Sequence, residues 1–200
     1  MAKNTDTTRA WYEANAKKFY ADTVHINMAV LYVPFLNYMR PYASILDAGC
    51  GSGRDTLYFS KRGYAVTAFD SSQALVKLAA KLTGKEIMTL AFQDLDIEDR
   101  FDGVWACASL IHVPMADMQD VLARISRSMK VGGVLYASFT HGTGEHIRDG
   151  RSVIDLDEKG FDDLIKPHAE LAVIRSWKTE DLLPDRQKEK WLNVLVRKSK

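Results

Sequence analysis

The sequence predicts one α/β domain: a doubly wound, mainly parallel sheet whose strands are joined by right-handed crossovers. Two observations carry this. Short apolar runs of strand length recur between amphipathic segments of helix length, the pattern of successive βαβ units. The first of these runs leads straight into the glycine cluster Gly49-Cys50-Gly51-Ser52-Gly53 and then into a helical pattern beginning near Asp55, as in a strand–turn–helix that cradles a ligand. The 200 residues suffice to bury a core around such a sheet. No repeat, low-complexity tract or linker divides them, so residues 1–200 are expected to form a single domain.

In chain order, Thr8 to Tyr20 carries Trp11, Tyr12, Phe19 and Tyr20 at helical spacing among polar neighbours, which predicts a leading amphipathic helix. A second helical stretch, His25 to Met39, contains Pro34, where a kink or an early end is expected. Strands follow at Ser44 to Ala48, Ala65 to Phe69, Ile87 to Phe92 and Gly103 to Ala108. A turn at Gly132-Gly133 leads into a fifth, Val134 to Thr140, and Leu156 to Ile165 reads as a helix closed by Pro167. Leu171 to Trp177 and Trp191 to Arg197 are strand-like, with a loop from Lys178 to Lys190 between them.

Composition narrows the function. Hydrophobic residues make up 46% and charged residues 26%, values of a soluble globular chain. The net charge of +1 is spread along the sequence, so no strong field gathers nucleic acid or anionic membrane. Met1 to Ala10 lacks the apolar core of a secretory leader, and the longest apolar stretch, Met28 to Leu36, falls far short of the ~20 residues that span a bilayer. A cytoplasmic protein, monomeric or homodimeric, is expected. Cys50 and Cys107 read as packing thiols rather than a disulfide, and no residue cluster has metal-ligand spacing, so no metal is expected.

The glycine turn allows close backbone approach to a ligand, and the free N–H groups at the following helix start favour an anionic group. A dinucleotide fingerprint would place its third glycine where Arg54 stands; here the third glycine is Gly53, which disfavours NAD. The run Asp47-Ala48-Gly49-Cys50-Gly51-Ser52-Gly53 resembles the first motif of the class I S-adenosylmethionine-dependent methyltransferases, which have a Rossmann-like fold. The resemblance extends from about Tyr12 to Phe139 and more loosely through the final strand pair. It implies an α/β, doubly wound, mainly parallel seven-stranded sheet with helices on both faces and an antiparallel last strand. It further implies S-adenosyl-L-methionine as cofactor and S-adenosyl-L-homocysteine as product.

The resemblance also implies site roles. Asp47, Ala48, Gly49, Cys50, Gly51, Gly53 and Arg54 would form the cofactor cradle. Asp70, in Phe69-Asp70-Ser71-Ser72, would hold the ribose hydroxyls, with Ser71 beside it; the alternative is an N-cap of the next helix. Asp94 and Leu95, in Phe92-Gln93-Asp94-Leu95-Asp96, would meet the adenine, and Ala108 would lie beside the reacting methyl. Residues 1–40 would form a helical lid carrying Tyr12 and Tyr20 over the cofactor. There is no Asn-Pro-Pro-Tyr-like run and no proline before Cys107, which weighs against base methylation.

His112, at the rim after the fourth strand, is a candidate general base or a packing residue; His141 and Glu145 are further candidates if the acceptor must lose a proton. The segments after Thr140 and between Lys178 and Lys190, holding His141, Glu145, Arg151, Asp185 and Arg186, with Trp191, are expected to wall the acceptor. The reading is methyl transfer to an O, N, S or C atom of a small-molecule acceptor. The alternatives are an enzyme acting on RNA or protein, and a protein that binds the cofactor without transferring its methyl.

Overall fold

In the computed structural model, which describes residues 3–183 and 186–200, the described strands form one nine-stranded sheet. β1 (Ser44–Ala48), β2 (Ala65–Asp70), β3 (Met88–Thr89), β4 (Phe101–Ala106) and β5 (Met129–Thr140) run parallel in the order β3-β2-β1-β4-β5. β9 (Lys190–Lys198) lies antiparallel on the far side of β5, and β8 (Leu171–Glu180) lies antiparallel to β9. These are the seven strands expected, with the last one antiparallel.

The two further strands correct the sequence reading. β6 (Gly144–Arg148) and β7 (Arg151–Asp155) form an antiparallel hairpin, attached to the end of β5 by the pair Thr140 and Asp155, where a loop from His141 to Arg151 was expected. Its turn is Asp149-Gly150, with φ of 50° and 80°. Two successive left-handed residues are what a tight hairpin turn needs if its twist is to match that of the strands.

Smaller corrections have local causes. β3 is shorter than Ile87 to Phe92, because after Thr89 the chain leaves the sheet edge and coils into a 3₁₀ turn, Phe92–Asp94. That turn drops the Phe92 ring onto Phe69, centroids 5.2 Å apart. β5 starts before the Gly132-Gly133 pair, which sits inside the strand where its register against β4 shifts. β4 ends at Ala106, and Ala108 has a φ of 51°.

Helices cover both faces. Side chains alternate along the strands, so Val104, Leu135, Ala137 and Phe139 pack with Val121, Leu122 and Ile125 of α5 (Met115–Ser128) and Phe161 of α6 (Glu158–Ile165). On the other face Ile45, Trp105, Val134 and Tyr136 pack with Tyr32 and Phe35 of α2 (Ala29–Leu36) and Phe59 of α3 (Arg54–Lys61). α2 runs two residues beyond Pro34. α4 (Gln73–Thr83) seats Val76 and Ala79 against Ala68. α1 (Lys3–Thr23) touches both α4 and β7. No helix among the described residues is long and apolar enough to cross a membrane.

One buried carboxylate joins three of these elements. Asp55, in the first turn of α3, accepts hydrogen bonds from the Tyr32 hydroxyl of α2 (2.5 Å), the Trp105 indole of β4 (2.8 Å) and the neighbouring Arg54 guanidinium (2.6 and 2.9 Å). Burial pulls its carboxyl upward, but Arg54, Tyr32 and Trp105 outweigh burial and hold it below the ordinary carboxylate value. Next to it, burial and the Asp55 charge push the Asp47 carboxyl up, and its one side-chain partner is the Thr56 hydroxyl, 2.5 Å away.

Removing one member of such a pair leaves the other charge buried alone. Asp55→Ala is therefore expected to destabilise the chain by about 3–5 kcal/mol in urea unfolding. Arg54 would keep its charge without the carboxylate that matches it. A loss under about 1 kcal/mol, the level of an exposed pair, would contradict this role.

Candidate functional site

A cavity of about 740 Å3 opens at the carboxyl ends of β1, β2, β4 and β5, lined by Asp70 and Thr140, which close β2 and β5, and by Gly49 and Cys107, which follow β1 and β4. This is the rim at which open α/β sheets bind their ligands.

At one end stands the glycine turn. Gly49 and Cys50 both donate N–H bonds of 2.9 Å to the Phe69 carbonyl, which ties the turn to β2. A Cβ on Gly49, whose φ is 75°, would stand 2.6 Å from the Ser109 Cβ, so only glycine fits there. Gly53 serves packing instead: a Cβ there would meet the Ala79 backbone at 2.9 Å, and its absence lets α3 lie on α4.

Asp70 closes β2 and is buried. Its Oδ2 accepts the Gly51 N–H and its Oδ1 the Ser72 N–H, both at 2.9 Å. The helix cap is Ser72, whose hydroxyl accepts the Leu75 N–H (3.2 Å), so the capping role considered for Asp70 belongs to its neighbour. Each carboxylate oxygen has two acceptor positions. The backbone N–H groups of Gly51, Ser72 and Ser71 take part of this capacity, and the carboxylate lines the cavity. Burial raises the Asp70 carboxyl above the ordinary range, opposed by the Ser72 and Gly51 N–H groups.

α1 lies against this end. The Phe19 ring is 3.1 Å from where a Gly51 Cβ would be, the Glu13 carboxylate accepts the Ala74 N–H at the start of α4 (3.1 Å), and Thr8 accepts the Ser152 N–H of β7 (2.9 Å). Tyr12 donates its hydroxyl proton to His112 Nε2 (2.8 Å). The other ring nitrogen, Nδ1, lies 2.7 Å from the Ser152 carbonyl, which can only accept, so Nδ1 carries the proton and in the neutral ring Nε2 is the acceptor. His112 is thus a neutral imidazole with both nitrogens engaged. Burial lowers its pKa from 6.5 to about 4.

Of the cofactor residues named from the sequence, Tyr12, Gly49, Cys50, Gly51, Arg54, Asp70, Ser71, Asp94 and Ala108 line the cavity. Asp47, Ala48, Gly53, Leu95 and Tyr20 lie outside its lining. Asp47, Ala48 and Leu95 are buried in the framework, and Phe19 takes the place expected of Tyr20. The Arg54 charge is engaged by Asp55. Cys50 is a buried free thiol raised by burial, and Cys107, also free, is pushed up to about 12 by burial.

The three candidates for proton removal do not converge. His112 lines the cavity; His141, 3.4 Å from Glu158, and Glu145, exposed on β6 and accepting the Ser152 hydroxyl, do not. Arg151, Arg186 and Trp191 line its other end, and Asp185 lies outside the described residues. The sequence reading missed Arg148, Ser138 and Asn193. Arg148 sits in the unrecognised hairpin. Ser138 bonds the N–H of the left-handed Ala108 (2.8 Å), and the buried Asn193 accepts the Tyr136 hydroxyl (2.7 Å). Both are polar residues inside apolar strands, a signal visible in the sequence.

The sheet order, the glycine turn closing β1 and the acidic residue closing β2 place the chain in the class I S-adenosylmethionine-dependent methyltransferase fold. Residues 46–137 match the family described as a methyltransferase domain. The chain is 32% identical to malonyl-[acyl-carrier protein] O-methyltransferase of Salmonella typhimurium over 58% of its own length and 47% of that protein's. It is 35% identical to trans-aconitate 2-methyltransferase of Deinococcus radiodurans over 48% of its length and 37% of the relative's. The alignments thus span less than half of these relatives. Among solved structures, the 1,6-didemethyltoxoflavin-N1-methyltransferase of Burkholderia thailandensis, crystallised with 1,6-didemethyltoxoflavin and S-adenosylhomocysteine, superposes with a TM-score of 0.80 at 22% identity, covering 99% of this chain and 90% of that one.

His112 gives this geometry a direct test. With its folded value depressed, the unfolded chain takes up the proton first, so the stability His112 contributes is complete above about pH 6.5 and lost as pH falls toward about 4. Long-range proton–nitrogen NMR should show His112 neutral with its proton on Nδ1 from pH 7 down to about 5. A ring that protonates near 6.5 contradicts the described pair.

Proposed function

We propose that this chain is a methyltransferase that uses S-adenosyl-L-methionine and acts on a small molecule. The observation that carries the proposal is Asp70: a buried carboxylate, fixed by backbone N–H groups of Gly51 and Ser72, that lines the cavity at the mouth of a glycine turn. That is the chemistry a ribose diol requires. The cavity of about 740 Å3 lies within the ~300–1,000 Å3 of small-molecule sites. The curated relatives, named as enzymes that methylate small or carrier-bound acids, agree with this class of activity.

The residues present fit the cofactor. Gly49 and Gly51 would give its amino-acid end close backbone approach, Asp70 and Ser71 would hold the ribose, and Asp94 would face the adenine. Of residues 1–40, α1 is proposed as the lid, with Phe19 and Tyr12 closing over the bound group; α2 does not belong to it, because Tyr32 and Phe35 are fixed in the core. When bound, the cofactor supplies an electrophilic methyl group for in-line transfer to an acceptor O, N, S or C atom.

The chain's own work is then mainly positioning, which contributes ~7–11 kcal/mol in well-oriented systems. Ala108, left-handed and bonded through its N–H to the Ser138 hydroxyl, presents a fixed piece of backbone to the cavity. Tyr12, by engaging both the lid and His112, couples closure of the lid to the shape of the acceptor end. His112 Nε2 becomes free to take a proton only where the Tyr12 bond is exchanged for one to the acceptor.

Calorimetry should show S-adenosylhomocysteine binding more tightly than NAD, and Asp70→Ala should weaken it by about 1–3 kcal/mol while the fold survives. Methyl-labelled cofactor incubated with a whole cell extract, followed by sizing of the labelled product, should place the label in a species below about 1 kDa, as the small-molecule reading requires. Tighter binding of NAD, or label entering RNA or protein alone, would overturn the proposal.

A further inference from the structure

The acceptor end of the cavity carries three arginines, Arg148 from β6, Arg151 from β7 and Arg186 ahead of β9. Two of them are neutralised from within. Arg148 and Arg186 share the Glu189 carboxylate at 3.1 and 2.6 Å, and Arg186 also faces Asp181 at 3.5 Å. Arg151 differs. Its side chain is 15% exposed, yet among the described residues its acidic partner is Asp149, 3.4 Å from Nη2, whose own side chain is 74% exposed; the guanidinium also bonds the Tyr12 hydroxyl. An ion pair of that length to a solvated carboxylate is weak.

The Nε of Arg151 is buried and makes no hydrogen bond among the described residues. Buried donors in folded proteins are nearly always satisfied, and an exception calls for a partner that arrives later. The guanidinium also lies over the Trp11 ring, its carbon 4.2 Å from the ring centroid. Nε and Nη2 form one planar edge, which matches the two oxygens of a carboxylate.

We infer that Arg151 is the anchor of a carboxylate subsite, and that the methyl acceptor is a small molecule bearing a carboxylate that this edge grips. The inference rests on the methyl-transfer reading for the word acceptor, but the subsite itself does not. A singly charged, planar anion suits the surroundings better than a doubly charged phosphate, because Asp149 and Glu189 stand close by and repel extra negative charge. The apolar neighbours Ile111, Val113 and Val153 leave room for an uncharged body beside the anchored group.

The Trp11 indole N–H signal in NMR reports on this site directly, since Trp11 lies under the guanidinium; Trp11→Phe assigns it. In protein saturated with S-adenosylhomocysteine, hexanoate should shift that signal at least about tenfold more tightly than hexanamide or inorganic phosphate. Arg151→Gln should weaken hexanoate by at least about tenfold, with Arg151→Lys between the two and S-adenosylhomocysteine affinity within about threefold of the parent in both. If hexanoate and hexanamide bind alike, if phosphate binds as tightly, if Arg151→Gln binds hexanoate like the parent, or if hexanoate does not bind, the inference is wrong. If the parent fails to bind S-adenosylhomocysteine while hexanoate still shifts Trp11 through Arg151, the carboxylate subsite stands and the methyl-transfer reading falls.

Discussion

The arrangement of the cavity depends on a buried negative charge, the Asp55 carboxylate, held by Tyr32, Trp105 and Arg54. These partners come from α2, β4 and α3, so a single group fixes the helix start behind the glycine turn to the aromatic layer on one face of the sheet. A buried charge is tolerated only when it is matched and hydrogen-bonded. Here it has four donor atoms. Because Arg54 is the residue directly after Gly53, the exit of the turn is held in place, and with it the backbone that faces the cavity.

The cavity divides into a rigid half and a variable half. The rigid half is made by strand ends and the turn between β1 and α3, where backbone bonds to Phe69 and Asp70 set the geometry. The variable half is made by pieces added to the sheet: the β6–β7 hairpin, the segment leading into β9, and α1. α1 is bound to the rim through Thr8, Tyr12 and Glu13, each a polar contact to a different element. Phe19 against Gly51 and Trp11 under Arg151 add ring contacts to these polar ones, so α1 closes the rim as a separate helix laid over strand ends, the kind of element that lids are built from.

The parallel strands were legible because their apolar runs are buried on both faces, and the glycine turn because it needs glycine for steric reasons that leave a mark in the residue types. Asp70 was legible by its distance from that turn. The hairpin was not read, although Asp149-Gly150 is a strong turn signal, because the flanking Glu145-His146-Ile147-Arg148 lacks the apolar alternation of a half-buried strand. The exchange of Tyr20 for Phe19 reflects the limit of helical periodicity, which groups neighbouring aromatics on one side of a helix without fixing which ring reaches a given glycine. The role of His112 was invisible for a different reason. Its two partners, Tyr12 and the Ser152 carbonyl, are 100 and 40 residues away in sequence.

The central claim is that the Asp70 end of the cavity holds the cofactor and the Arg151 end is left for the acceptor. A crystal structure of the chain with S-adenosylhomocysteine bound tests it most directly. The account predicts the ribose hydroxyls on the Asp70 carboxylate beneath Phe19, with the space between His112 and Arg151 still open. A ligand seated against Arg151, or one whose ribose makes no contact with Asp70, would contradict it.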